Sequence, residues 1–226
     1  MAKVRLIDGA VSTGVLVVGL AHGEGKNPAL HIESGDLVLD TKPLLAALAD
    51  LGATGKADEI IQLPGSSIRL LVFTGLGKEA RKYPHEVLRR AAGAATRALA
   101  GNTEVSFALP AEDTHAVNAI AEGAAIAAYS FEEFRGSTKG DARIPVTSIT
   151  VHTALANTAQ AKNISKHAMI TGQYNALVRN LVNTPPSHLT PITFVEHIKK
   201  AVADAGGEKA GLRITVLNEK QLKSQG

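Results

Sequence analysis

The stretch Arg69–Leu109 reads RLLVFTGLGKEARKYPHEVLRRAAGAATRALAGNTEVSFAL, and it decides the fold. Arg69–Thr74 is a short apolar run, so it predicts a buried strand. A helix begins at Pro84, because apolar side chains then recur at helical spacing and arginines occupy the opposite face. The helix ends at Gly101, and Glu104–Leu109 predicts a second strand. Strand, helix and strand in this order are typical of an α/β fold.

The residues before Arg69 predict another buried strand and a helix. Gly14–Leu20 is a continuous apolar run between glycines, as expected for a strand covered on both faces. A signal peptide is the alternative for Val11–Leu20, but Asp8 interrupts the approach and no small-x-small cleavage site follows. Asp36–Leu39 predicts a short strand, and Pro43–Leu51 predicts a helix.

The residues after Leu109 complete the predicted domain. Thr114–Tyr129 predicts an alanine-rich helix, and Phe131–Pro145 predicts a loop because it is rich in glycine and charge. Val146–His152 alternates like a strand. We therefore expect residues 1–157 to form an α/β domain with a mixed sheet flanked by helices.

Residues 158–183 predict one long linking helix, because helical periodicity continues through the whole segment. This length exceeds that of the usual helix in a globular protein, and such helices often bridge two domains. Pro185 follows Thr184, and the residue before a proline avoids the α region. The helix is therefore expected to end there.

Residues 184–226 predict the beginning of a second α/β domain. Thr190 precedes a proline that begins a helix, and Leu212–Leu217 predicts a strand. Asn218, with Gln221 following it, resembles a capping box for a short final helix. The predicted strand has no evident partner in the first domain, so we expect the second domain to be incomplete within this chain.

Composition excludes several classes of site. The sequence has no cysteine, which excludes disulfides, thiolate zinc sites and cysteine nucleophiles. The net charge is +3, but the basic residues are scattered, which favours a solvated surface over a nucleic-acid site. Every apolar segment is shorter than a membrane span, so we expect a cytoplasmic protein without membrane contact.

The sharpest local motif is Gly75–Ala80, which follows a strand and matches G-x-G-x-x-A. A dinucleotide site needs a helix that begins at this turn, so that its N-terminus meets the pyrophosphate. Here the helix begins several residues later, at Pro84, and Glu104 stands at the start of a strand rather than its end. We therefore expect a plain strand-to-helix turn, with glycine supplying positive φ, and no bound nucleotide.

Two other catalytic patterns fail on sequence or position. Neither Gly25-Lys26 nor Gly77-Lys78 has the upstream glycine and the following Ser or Thr of a Walker A motif. Gly65–Ile68 precedes a strand, whereas a nucleophile elbow follows one.

The histidines and the paired carboxylates predict no catalytic centre. His115 and Asp113 are interpreted as a pair at a helix start, and His152 as a hydrogen-bonded core or surface histidine. Glu132 and Glu133 are adjacent in a loop-like stretch and are interpreted as a solvated pair. The sequence therefore assigns no catalytic, no cofactor-binding and no metal residue.

Four stretches, taken in order, resemble the leucine (cytosol) aminopeptidase family. They are Phe73–Lys78 with Leu88–Ala95, Gly123–Phe131 with Phe134, Asn175–Ser187 with Leu189–Pro191, and Ile214–Leu222. Their order and spacing are similar to the family's amino-terminal half along nearly the whole chain.

The resemblance implies an amino-terminal macro-like domain, followed by a catalytic domain that holds two divalent metal ions, commonly zinc, manganese or magnesium. In the family, a lysine, aspartates and a glutamate hold the metals, which polarise the peptide carbonyl. The family is typically hexameric, and some bacterial members also bind DNA. The family signature Asn-Thr-Asp-Ala-Glu-Gly-Arg is absent here, because Asn183-Thr184 is followed by Pro185.

The resemblance therefore predicts the amino-terminal portion of a leucyl aminopeptidase, inactive alone and serving domain packing and hexamer assembly. Two alternatives remain open. One is a stand-alone macro-like module that holds a nucleotide or a similar ligand. The other is a DNA-binding module, supported by Arg89, Arg90 and Arg97 on the helix that begins at Pro84.

Overall fold

A computed structural model describes residues 2–9, 11, 14–25, 28–65 and 68–225. The chain divides into two compact units, Met1–Ala176 and Leu177–Gly226. In the part of the chain that is described, no helix is both long enough and apolar enough to cross a membrane.

The first unit contains one mixed sheet of seven strands, in the order β1-β7-β6-β2-β5-β4, with β3 also paired to β2. Parallel pairing joins β1, β7, β6, β2 and β5, whereas β3 and β4 are antiparallel to their neighbours. The strands are β1 (Lys3–Ile7), β2 (Val15–His22), β3 (Leu30–Glu33), β4 (Ile60–Pro64), β5 (Leu70–Lys78), β6 (Glu104–Ala108) and β7 (Ser148–His152).

Helices lie on both faces of this sheet, which confirms the predicted fold class. The helices of the whole described chain are α1 (Thr41–Asp50), α2 (His85–Ala98), α3 (Thr114–Ala127), α4 (Ala159–Asn183), α5 (Pro191–Asp204) and α6 (Glu219–Gln225).

The central strand, β2, is buried on both faces from Val15 to Ala21, which explains its unbroken apolar sequence. Val15 and Val17 belong to a core shared with α2, α3 and the start of α4. Leu16 and Val18 belong to a second core on the opposite face, where Leu48 of α1 is fully buried. Successive side chains of a strand point to opposite faces, so β2 contributes to both cores.

The main helical elements confirm the sequence analysis. The helix predicted at Pro84 begins at His85, with Pro84 in the N-cap position. The segment predicted as one long helix is α4, a single helix of 25 residues, and its role as a link between domains stays a prediction. Residues Phe131–Pro145, predicted as a loop, contain only a short 3-10 helix among extended and turn residues.

Three strands of the sheet were missed, and one strand predicted in the first unit was wrong. The edge strands β1 and β4 and the short strand β3 are only partly buried, so their sequences lack a strong apolar run. Asp36–Leu39 is not a strand: it is a turn followed by extended chain, and the Leu37 N–H donates to the Ser34 carbonyl at 3.1 Å. The real strand lies just before it, at Leu30–Glu33.

The second unit contains α5 and α6. Thr190 caps α5 through a reciprocal hydrogen-bonded box with Thr193. The predicted capping box of α6 is confirmed, because Asn218 and Gln221 exchange hydrogen bonds of 2.9 and 3.0 Å. The strand predicted at Leu212–Leu217 is wrong: these residues have no regular secondary structure and pair with no strand in the described chain, so no ladder forms.

Candidate functional site

Gly75–Ala80 does not form the plain turn expected from the sequence. Strand β5 continues through Gly75, Leu76 and Gly77 to Lys78. A bulge lies within this stretch, because Leu20 is opposite Gly75 whereas Ala21 is opposite Gly77. Gly77 has a φ of +82°, so the expected positive φ is present, but it lies inside a bulged strand.

The helix that follows begins too late to serve a phosphate at this motif. Helix α2 begins at His85, beyond a loop that follows Lys78. A pyrophosphate at Gly75–Ala80 would therefore lack the helix N-terminus that stabilises it in dinucleotide-binding folds. The absence of nucleotide binding stays a prediction.

The crevice at the switch point of the sheet is closed by the chain itself. In α/β sheets, ligands bind where the connections from adjacent strands diverge, at the carboxyl ends of those strands. Strand β6 pairs with β2 over Leu16–Val18, and β3 pairs with the next part of β2, over Gly19–His22. After β3, a Cβ on Gly35 would lie 2.8 Å from the Leu109 carbonyl oxygen, so the turn lies directly over the end of β6.

Two of the other motifs fall partly outside the described residues. Ser66 and Ser67, within Gly65–Ile68, are not described, but the next strand begins at Leu70, after this segment as expected. Lys26, the lysine of one rejected Walker A match, is likewise outside the described residues.

A polar cluster surrounds the start of α3. Asp113 is the N-cap, and its Oδ1 accepts from the Ala116 N–H at 2.8 Å, as expected for a residue at a helix start. Its Oδ2 lies 2.7 Å from Lys82 Nζ, and His85 Nε2 lies 3.6 Å from Oδ1. The hydrogen bonds from Lys82 and Ala116 lower the pKa of Asp113 to about 2. His115 stacks on His85 rather than bonding to Asp113, with ring centroids 5.8 Å apart.

We expect Asp113→Ala to lower the free energy of unfolding by about 1 kcal/mol, because α3 loses its N-cap acceptor. Asp113→Asn keeps an acceptor and is the matched control. Because the folded-state pKa is lowered from 3.8, the carboxylate's contribution is complete above pH 3.8 and disappears as the pH falls towards 2. Urea titrations of the three proteins at neutral and acid pH measure both effects. Equal stability of the alanine and asparagine variants at neutral pH would contradict the cap.

His152 is the one histidine buried in the first core, with 4% of its surface exposed. Its Nδ1–H donates to the Gly9 carbonyl at 3.1 Å, which fixes the neutral tautomer. Burial lowers its pKa, and the bond to Gly9 only partly offsets that effect. Its Nε2 is buried without a hydrogen-bond partner among the described residues, so the ring is hydrogen-bonded through Nδ1 alone, and its purely structural role stays a prediction.

His152 makes the first unit sensitive to mild acid. Its pKa is lowered from 6.5 by folding, so the unfolded chain binds a proton more readily than the folded chain. The free energy of unfolding therefore falls as the pH drops below 6.5, until the folded-state pKa is passed. His152→Asn keeps a donor to Gly9 and should flatten this slope, whereas the exposed control His115→Asn should not. An unchanged slope in His152→Asn, measured by urea titration between pH 5 and 8 (roughly the range in which histidine titrates), would contradict the assignment.

The pair Glu132-Glu133 differs from its interpretation as a solvated pair. Glu133 is exposed, but Glu132 is partly buried and forms an ion pair with Arg135, with Oε2 and Nε 3.1 Å apart. The two carboxylates therefore do not converge on a common proton or metal.

A buried carboxylate that the sequence analysis did not single out joins three helices. Glu122 of α3 is only 8% exposed. Its Oε2 lies 3.2 Å from Arg89 Nη2 of α2, and its Oε1 lies 3.0 Å from His167 Nδ1 of α4. Arg89 also pairs with Glu86. The helical spacing of Glu122 places it on the packed face of α3, a signal that was available in the sequence.

The basic face of α2 is largely matched by carboxylates. Arg89 is engaged as above, and Arg90 Nε donates to Asp58 Oδ1 at 2.8 Å. Arg97 lies close enough to contribute to the lowered pKa of Asp58, after the larger effect of Arg90. These pairs reduce the positive potential that a phosphate backbone would meet.

Within the described residues, no group of three or more His, Asp or Glu side chains is arranged to hold a metal ion. The polar clusters that the structure does bring together, around Asp113 and Glu122, join neighbouring helices. The sheet order and the helices on both faces define a mixed α/β domain.

The comparisons with known proteins agree with that class. The sequence profile of the cytosol aminopeptidase family, N-terminal domain, matches residues 16–138. The chain is 37% identical to a probable cytosol aminopeptidase of Streptomyces griseus, over 93% of this chain and 43% of that protein. It is 35% identical to one of Micrococcus luteus, over 96% of this chain and 42% of that protein. The chain belongs to the cytosol aminopeptidase family.

Solved structures show the same fold at low sequence identity. A mutant of tomato leucine aminopeptidase matches 99% of this chain with a TM-score of 0.66 and 19% identity, and 46% of its own length is covered. The bottromycin maturation enzyme BotP matches 96% of this chain with a TM-score of 0.66 and 19% identity, and 41% of its length is covered. The chain spans less than half the length of the relatives it matches.

Proposed function

We propose that this chain is the amino-terminal portion of a leucyl aminopeptidase, an exopeptidase that removes N-terminal amino acids from peptides in the cytoplasm. The proposal rests on one observation: nearly the whole of this chain aligns with less than half of each of its relatives. Relatives named as probable cytosol aminopeptidases align with 93% of this chain, while the chain covers 43% of the first of them. The remaining length of those relatives has room for a catalytic domain of its own.

The proposed enzyme uses two divalent metal ions, manganese or zinc, and BotP has been solved in complex with Mn. The described residues of this chain do not fit such a centre, because no three of their acidic and histidine side chains are arranged so that they could hold a metal ion. Oxygen and nitrogen ligands must converge to hold a metal pair. We therefore assign the metal ligands and the peptide-binding residues to sequence outside these 226 residues, and no catalytic step to residues within them.

We assign residues 1–157 to a macro-like domain, 158–183 to a linking helix and 184–226 to the beginning of the catalytic domain. Exposed apolar side chains of the second unit support the last assignment. Ile192 is 75% exposed and Leu222 is 55% exposed, and the extended segment 212–217 adds Ile214 and Val216. A set of exposed apolar side chains like this is unusual for a finished domain, so further sequence is expected to cover it.

The experiment is leucine p-nitroanilide hydrolysis by the longer protein that contains this chain. We expect turnover that requires manganese or zinc, disappears with a chelator and returns when metal is added back. Native mass spectrometry of the same sample should show a homo-hexamer. A longer protein that is folded and metal-loaded but hydrolyses no N-terminal residue would overturn the proposal.

DNA binding is one of the two alternatives for the first unit, beside the binding of a small ligand. The structure reduces the support for DNA binding that rested on the arginine pattern, because Arg89 and Arg90 are paired with carboxylates. A titration with duplex DNA at several salt concentrations tests it, since phosphate contacts give a steep dependence of affinity on salt. A steep dependence that is reduced by Arg97→Gln would favour DNA binding.

A further inference from the structure

A cleft lies at the carboxyl ends of β2 and β5, beside the bulge at Leu76. Its volume is about 570 Å³, which is within the range of small-molecule sites. Pro28, Leu30 and Ala53 contribute apolar surface, and Lys56 and Lys78 contribute ammonium groups. Parallel strands present their carboxyl ends to ligands in α/β folds, so this edge is the expected side of the sheet.

One wall of the cleft is held by a carboxylate that binds backbone amides. Glu59 Oε2 accepts from the Thr54 N–H at 3.0 Å and from the Gly55 N–H at 2.6 Å. The Gly55 carbonyl in turn accepts from the Gly77 N–H of β5 at 2.8 Å. The turn that positions Lys56 is therefore fastened to the sheet before any ligand arrives.

The opposite wall is fastened to the sheet in the same way. The Gly23 N–H donates to the Ala29 carbonyl at 2.8 Å, and the Glu79 N–H donates to the His22 carbonyl at 2.8 Å. The His22 ring bonds to the Gly23 carbonyl through Nδ1 at 2.9 Å. A preformed cleft loses little conformational entropy on binding, which favours affinity for a small ligand.

The charges of the cleft favour an anion. Lys78 forms an ion pair with Glu24, but their side chains are 64% and 77% exposed, so the pair is weak and can open. Lys56 has no ion-pair partner among the described residues, because Glu59 is occupied by backbone amides. Beside the cleft, His31 pairs with Glu79. Among the lining residues that the structure describes, two carry ammonium groups and one carries a carboxylate.

We propose that this cleft binds a small organic anion, an apolar body that carries one carboxylate or phosphate. The anionic head lies between Lys56 and Lys78 and displaces Glu24 from Lys78. The apolar body covers Leu30 and Ala53. The lining includes no start of a helix, so a single head held by lysines fits the cleft better than a pyrophosphate does.

The experiment is an NMR titration of the isotope-labelled chain with three probes of equal apolar body: isopentyl phosphate, 4-methylpentanoate and neutral isopentanol. We expect saturable shifts at Gly23, Leu30, Ala53 and Lys78 with both anions, and none with the alcohol. If isopentyl phosphate binds more tightly than 4-methylpentanoate, the preferred ligand has a dianionic head that contacts both lysines. If the two bind equally, a carboxylate head is sufficient. Both outcomes support the site.

Charge variants separate this site from general attraction to lysines. Lys56→Gln and Lys78→Gln should each weaken binding about tenfold, because each removes a charge-assisted hydrogen bond. Glu24→Gln should strengthen it severalfold, since it frees Lys78 and removes a repelling charge. Lys42→Gln, on exposed α1, is the control and should change nothing. The proposal would be overturned if no saturable shifts occurred or if the shifts were scattered over the surface. It would also be overturned if Lys42→Gln weakened binding as much as the cleft variants do.

Discussion

Gly123→Ala is expected to lower the free energy of unfolding by about 3 kcal/mol, the upper end of typical overpacking costs. A Cβ at this position would lie 2.1 Å from the Arg89 carbonyl oxygen, a backbone atom of the neighbouring helix α2. No rotamer relieves such a contact, so α2 and α3 must separate. That separation would also disturb the Arg89–Glu122 ion pair, whose atoms are 3.2 Å apart. The loss outweighs the gain of about 1 kcal/mol from replacing a helical glycine.

Gly93→Ala is the matched control, because Gly93 lies in α2 and faces the same helix pair. Its added Cβ would lie 3.4 Å from the Gly123 carbonyl oxygen, close to ordinary van der Waals contact. We expect it to change stability by less than about 1 kcal/mol, with improved helix propensity offsetting a slight repacking. Urea titrations of both variants measure the difference. Equal stability of the two alanine variants would contradict the close helix contact.

The parts of the fold that were predictable are those whose sequence pattern records their burial. Strand β2 is buried on both faces and therefore reads as an unbroken apolar run. Helix α2 has one packed and one charged face, and its start is marked by Pro84. The strands that were missed depend on distant partners. Strand β1 is defined by pairing with β7, as in Val4 opposite Ile149, and its own sequence alternates charge and aliphatic residues.

The two strand predictions that were wrong failed for different reasons. Asp36–Leu39 has a short apolar pattern, but it pairs with no strand in the described chain, and β3 already lies beside β2 over Gly19–His22. Leu212–Leu217 has strand-like alternation, but it pairs with no strand within the described chain. Alternation predicts a half-buried surface, and a strand needs a neighbour to pair with as well.

The local sites were less predictable than the fold, because they join residues far apart in sequence. Glu122 meets Arg89 and His167 only after three helices pack. The bulge at Gly75–Gly77 arises from the register of β5 against β2, which a single segment does not reveal. The motif analysis could therefore argue against a nucleotide site at Gly75–Ala80, yet it could not place the neighbouring cleft.

The largest functional effect expected is the complete absence of peptidase activity from the 226-residue chain. A two-metal hydrolase holds its ions about 3.5–4 Å apart with converging ligands. In this chain several carboxylates already bind other groups: Asp58 pairs with Arg90, Glu59 binds backbone amides and Asp113 caps a helix. The sequence contains no cysteine that could replace them as ligand or nucleophile. Because enzymes accelerate reactions by about a millionfold or more, the contrast with an active relative is large.

The most direct test is leucine p-nitroanilide hydrolysis by purified chain whose mass confirms that it ends at Gly226, with manganese or zinc added. The account predicts a rate equal to that of the metal-containing buffer alone, while an intact family member assayed beside it turns over rapidly. Metal-dependent turnover that copurifies with the 226-residue species and stops with a chelator would contradict it. That result would place a catalytic metal site within these residues.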